Sequence, residues 1–160
     1  YLCMAHISCS IQTKMVFYQE KMQMRDKVFL DTNIILYAIS TEDNDKHSIA
    51  KPIVLSESTI SAQVINESSV NLIKKLKFTE EMVQKFINSA YQRFNVIELS
   101  RNVFIRASEL RKQYNFSYYD SVIVAAALIA NCNILYSEDM QDGLIVDNLL
   151  TIVNPFKQKK

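Results

Sequence analysis

Glycine occurs once in these 160 residues and proline twice. So few turn formers argue against a sandwich of many tight hairpins and against a disordered linker. Histidine is almost as scarce, with only His6 and His47, so no imidazole pair suggests zinc. The three cysteines, Cys3, Cys9 and Cys132, cannot form a complete disulfide set. Cys3, His6 and Cys9 lack a fourth ligand at structural-zinc spacing. The longest uninterrupted apolar run, Val122 to Ala130, is nine residues and too short to span a bilayer. Residues 1–26 have no basic start followed by a long apolar stretch, so they do not read as a signal peptide. The expected location is a reducing cytoplasm. Net charge is only +1, so global charge announces no polyanionic partner.

Hydrophobic residues make up 49% and charged residues 22%, as in an ordinary globular chain. The length suits one domain with a single core. Residues 1–26 are weakly patterned and are treated as an extension, with Met15, Met22 and Met24 as possible later starts. From Lys27 onward, short β-branched runs alternate with longer segments of helical spacing. The runs are Val28–Leu30, Thr59–Ile60, Val96–Leu99, Ile134–Tyr136 and Thr151–Val153. The helical segments span about 62–76, 79–94, 103–114 and 118–130, with a shorter one near 47–55 beside Pro52. Thr79 caps the second, with Glu80 and Glu81 in its first turn. This alternation predicts a parallel sheet covered by helices. The domain is expected over 27–156, followed by a basic tail at 157–160.

Against that apolar frame, four acids stand out. Asp31 follows the first strand in FLDTN, and Asp139 follows a later one in ILYSED. Asp120 opens the apolar helix of SYYDSVIVAAAL, and Glu67 lies about two turns into the helix of ISAQVINESS. Each has a plain explanation on its own, as a helix cap or a solvated side chain. In open α/β sheets, however, ligands bind beyond the carboxyl ends of the strands. Four acids gathered there would repel one another unless a cation joined them. An all-oxygen set suits a hard divalent ion such as Mg²⁺ or Mn²⁺.

In this order the four segments resemble the motifs of PIN-domain ribonucleases, and among them the toxins of VapC-type toxin–antitoxin pairs. FLDTN matches the first motif, ISAQVINE the second, YYDSVIVAAA the third and ILYSED the fourth. The resemblance covers about Lys27 to Phe156. It implies a three-layer α/β/α fold with a central, mainly parallel sheet of about four to five strands. It further implies a metal-dependent endoribonuclease with Asp31, Glu67, Asp120 and Asp139 as catalytic metal ligands. Thr32, Asn33 and Ser137 would orient those carboxylates or contact a phosphate, with Asp142 an accessory acid. The partners it implies are RNA, a second copy of the chain and a small antitoxin covering the site. The toxin would act on translation or growth.

Setting the four acids aside leaves the rest of the chain distinctly basic. Lys74, Lys75 and Lys77, and Arg106, Arg111 and Lys112, are expected either to meet RNA phosphates or to serve as ordinary surface. Tyr118 and Tyr119 would stack on a base, or at least one would pack on the core. Other readings are weaker. A haloacid-dehalogenase-like phosphatase needs a second Asp two residues after the first, and position 33 is Asn. A receiver-like domain would need an acidic pair before its Asp. An RNA-processing PIN nuclease without a toxin role, or a PIN-like scaffold that has lost its metal, would share the fold.

Overall fold

A computed structural model of the chain describes residues 26–157. Cys3, His6 and Cys9, the extension before Asp26 and the tail beyond Lys157 lie outside these residues.

The chain begins as strand β1 (Val28–Leu30), whose Phe29 and Leu30 are fully buried. Helices α1 (Thr32–Ile39) and α2 (Asn44–Leu55) follow. Strand β2 (Thr59–Ser61) leads into α3 (Ala62–Leu76) and α4 (Glu80–Arg93). Strand β3 (Asn95–Ile97) precedes α5 (Arg101–Tyr114) and α6 (Tyr118–Ile129). Strands β4 (Ile134–Tyr136), β5 (Ile145–Val146) and β6 (Leu150–Val153) complete the sheet. The architecture is the expected three-layer α/β/α arrangement.

The sheet order is β3-β2-β1-β4-β6-β5. All pairings are parallel except β5 with β6. All five expected runs form strands. The third is shifted to Asn95–Ile97, and the sixth strand, β5, was not expected. It is a two-residue hairpin arm, returned by a turn in which Asp147 and Asn148 take φ of 53° and 58°. Two consecutive left-handed residues give the turn whose twist matches a hairpin, and Asp and Asn tolerate that conformation.

Helix starts follow a common rule. Ser61, Thr79, Ser100 and Ser117 each accept a hydrogen bond from the backbone N–H three residues on, satisfying one of the free donors of the first turn. Pro52 lies within α2, where only the last turn follows it. Helix α6 is apolar nearly all round, and Ser121 through Ala127 are buried. It packs against α5, α3 and β2, and its run of alanines permits that close approach.

Strand order explains where a site can form. From β1 the chain adds β2 and then β3 toward one edge, returns to place β4 on the other side of β1, and ends with β6 and β5. The connections thus diverge between β1 and β4, and a crevice opens there at the carboxyl ends of the strands.

Candidate active site

Register places Leu30 opposite Tyr136, so the next residues, Asp31 and Ser137, emerge side by side. The Asp31 N–H closes the ladder by donating to the Tyr136 carbonyl at 3.0 Å. Asp31 is only 6% exposed. Its Oδ1 accepts from the Thr32 N–H at 2.6 Å, and its Oδ2 accepts from the Ser137 hydroxyl at 2.6 Å. Asp31 is thus the N-cap of α1, and the cap leaves its outer face turned to the crevice.

Burial pushes the Asp31 carboxyl up from 3.8 to about 6, against the two hydrogen bonds that favour its ionised form. The nearby charges of Asp120 and Glu67 raise it further. A carboxylate strained in this way is a common mark of a functional group.

The other acids reach the same crevice from separate elements. Asp31, Glu67, Asp120 and Asp139 all line one cleft of about 520 Å³. Glu67 Oε2 accepts from the Thr32 hydroxyl at 3.0 Å, and its Oε1 accepts from Gln63 Nε2 at 2.6 Å. Asp120 Oδ2 accepts from the Ser117 hydroxyl at 2.6 Å. The cap of α6 is therefore Ser117 and not Asp120, whose carboxylate is free to face the cleft. Asn33 Nδ2 lies between Asp31 Oδ2 (3.4 Å) and Asp139 Oδ2 (3.3 Å).

Among the described residues, Lys75 is the sole basic one lining the cleft, against seven carboxylates. The field there is strongly negative and attracts cations. Among the described residues, no three carboxylate, thiol or imidazole groups stand together at a spacing one ion would bridge. The acids are instead engaged by neutral donors: Glu67 by Thr32 and Gln63, Asp120 by Ser117. The donor set is all oxygen and fits Mg²⁺ or Mn²⁺. The described histidine, His47, places Nδ1 3.0 Å from the Tyr37 carbonyl instead.

Asp142 is not brought to the cleft. Its Oδ1 accepts from the Asn154 N–H at 2.9 Å and its Oδ2 pairs with Lys157 at 3.3 Å, an arrangement that ties the turn to the last strand. Arg106 is committed to Glu109 and Asp147, and Arg111 lies 4.7 Å from the Tyr118 ring centroid. Tyr118 and Tyr119 are both exposed, at 53% and 60%, so neither packs on the core as one was expected to.

Two groups that hold or border the site escaped the sequence. Gln63 stands one helical turn before Glu67, a spacing that could have been read. Glu138 lines the cleft between Ser137 and Asp139, but its carboxylate is held by Lys46 and Tyr37. Burial raises its pKa, yet those two hydrogen bonds outweigh burial and keep it below the usual value.

A PIN-domain family model matches residues 28–141. No curated protein matches the chain. Among solved structures, a toxin–antitoxin complex from Klebsiella pneumoniae superposes with a TM-score of 0.60 at 22% identity, covering 81% of this chain and 98% of that one. VapC20 of Mycobacterium tuberculosis, described as a sarcin-ricin loop cleaving toxin, gives 0.59 at 17% identity, covering 71% and 90%. VapBC2 from Rickettsia felis, bound to a promoter DNA fragment, gives 0.57 at 21% identity, covering 78% and 96%. At such identities the likeness is one of fold.

Proposed function

The chain belongs to the PIN-domain family, and from that premise we propose that it is a metal-dependent endoribonuclease, the toxin of a toxin–antitoxin pair. The observation that carries this reading is the convergence of Asp31, Glu67, Asp120 and Asp139 on one cleft at the switch point of the sheet. Those four residues would hold Mg²⁺ or Mn²⁺. When bound, such an ion supplies hydroxide near neutral pH and stabilises charge on the attacking and leaving oxygens of a phosphodiester.

The chain's own groups prepare the site. Ser137 and the Thr32 N–H fix the rotation of the Asp31 carboxylate, and the Thr32 hydroxyl and Gln63 do the same for Glu67. Asn33 spans Asp31 and Asp139. Outer hydrogen bonds of this kind orient ligating carboxylates. Asn71 and Lys75 follow Glu67 at intervals of four along the same face of α3, and both line the cleft. They give an incoming phosphate chain a polar track and a positive end.

The toxin role is supported by the fold neighbours, which are toxin–antitoxin complexes and a sarcin-ricin loop cleaving toxin. On this reading the chain acts in the cytoplasm on RNA, forms a homodimer and is held inactive by a small antitoxin over the cleft. Cleavage of RNA with Mg²⁺ or Mn²⁺, abolished by chelator, is the direct test. Asp31→Asn and Asp120→Asn should each lower the rate by roughly two orders of magnitude or more, the scale of removing a group that stabilises transition-state charge. Full activity in both variants overturns the site, cleavage that survives chelator overturns the metal reading, and an inactive wild type points to a scaffold.

A further inference from the structure

Helix α2 contributes none of the four acids, yet its Lys46 reaches the cleft wall. The Lys46 ammonium lies 2.5 Å from Glu138 Oε1 and 2.9 Å from the Tyr37 hydroxyl. It also sits 4.4 Å from the Tyr37 ring centroid and 5.7 Å from that of Phe156. These two rings meet edge to face at 5.1 Å. The Tyr37 hydroxyl in turn donates to Glu138 Oε2 at 2.7 Å. Both oxygens of Glu138 are therefore taken.

The backbone of Glu138 is held as well. Its N–H donates to Asn33 Oδ1 at 3.4 Å, and its carbonyl accepts from Asn154 Nδ2 at 3.3 Å. The residues on either side are Ser137, bonded to Asp31, and Asp139, bonded to Asn33. Glu138 is thus a carboxylate of the cleft wall that is drawn away from the other acids by a cation from a helix outside the set. Side-chain exposures of 29% for Lys46 and 23% for Glu138 make this pair more than a solvated surface bridge, which would contribute little. Stranding one partner of a part-buried pair leaves an uncompensated charge.

We propose that Lys46 is a positioning residue of this site: by pairing with Glu138 it keeps that carboxylate out of the ligand set and fixes Asp139 where Asn33 bridges it to Asp31. This rests on the reading of Asp139 as a metal ligand. Lys46 acts through the loop after β4 and touches neither metal nor RNA.

The test is a double-mutant cycle read by Mn²⁺ binding, measured by calorimetry on the full chain, beside kcat and KM for RNA. Loss of an outer partner costs roughly tenfold or more in metal affinity, and that weakening is expected for Lys46→Met. Its kcat should fall with the binding, its KM for RNA should hold, and Lys46→Arg should restore most of both. In an Asp139→Asn background the Lys46→Met change should add at most about twofold, because coupled residues are not additive. Lys51→Met, on the exposed side of the same helix, should track the wild type.

Additive effects, or a Lys46→Met protein that binds Mn²⁺ like the wild type, overturn the proposal. A wild type that binds no Mn²⁺ overturns the metal reading and this inference with it. Wild-type binding and cleavage with an indifferent Lys46 overturns the inference alone. Should Lys46→Met fail to fold, Glu138→Gln weakens the same link and takes its place in the cycle with the same expectations.

Discussion

The Asp31 carboxyl is stabilised in the protonated form, and the sign of that shift has a measurable result. A folded pKa of about 6 against 3.8 means that the folded chain keeps a proton the unfolded chain has released. Stability from this group is fully present below about 3.8 and is lost as pH rises through about 6. A shift of that size corresponds to roughly 3 kcal/mol. Metal-free protein should therefore melt at a lower temperature at pH 8 than at pH 5. Asp31→Asn should remove most of that dependence and raise the melting point at pH 8, while ending cleavage. A thermal melt series in chelator checks both; an unchanged slope in the variant would show that Asp31 is not the strained group. At this scale the sequence was informative, since a lone acid between two apolar segments is conspicuous. The partners of Glu138 were not legible, because Lys46 lies 92 residues away on a helix and nothing local marks the pair.

At the level of elements, the capping serines separate stability from chemistry. Ser100 and Ser117 cap α5 and α6 in the same way, through the N–H three residues on. Ser117 alone also donates to a site acid, Asp120. Replacing either by alanine should cost about 1 kcal/mol, as lost caps do. Only Ser117→Ala should also slow cleavage, by several-fold, because it frees the Asp120 carboxylate. Denaturant melts and initial rates on the two variants distinguish the roles, and equal rates would leave Ser117 a cap and no more. The helices were legible because capping residues and 3.6-residue spacing agree along the chain. Strand β5 was missed because two residues carry no periodicity. Its signal lay in the turn, Asp147-Asn148, which needs two left-handed residues.

For the whole molecule, the four site acids gathered at one cleft repel one another, and on the proposed reading a bound cation relieves that repulsion. An ion that binds the folded chain alone stabilises it by about 2.7 kcal/mol at one hundred times its dissociation constant. Mn²⁺ should thus raise the melting temperature of the wild type by several degrees, with much less gain in Asp31→Asn. A wild type indifferent to millimolar Mn²⁺ would contradict the site. That the four acids lie at one sheet edge was legible once the strands were taken as parallel. Their place between β1 and β4 was not, because strand order is set by crossovers that no local pattern encodes.

That strand order also sets a time. Asp31 precedes Ser137, which holds it, by 106 residues. A chain synthesised as far as α5 contains two of the four acids and lacks β4, the strand that lies against β1. A chain that stops short of β4 therefore cannot assemble the cleft. If its target is RNA, the protein is harmless to the ribosome translating it until β4 has slid in beside β1. On that reading the late central strand would work as a safety catch, released by completion of the fold.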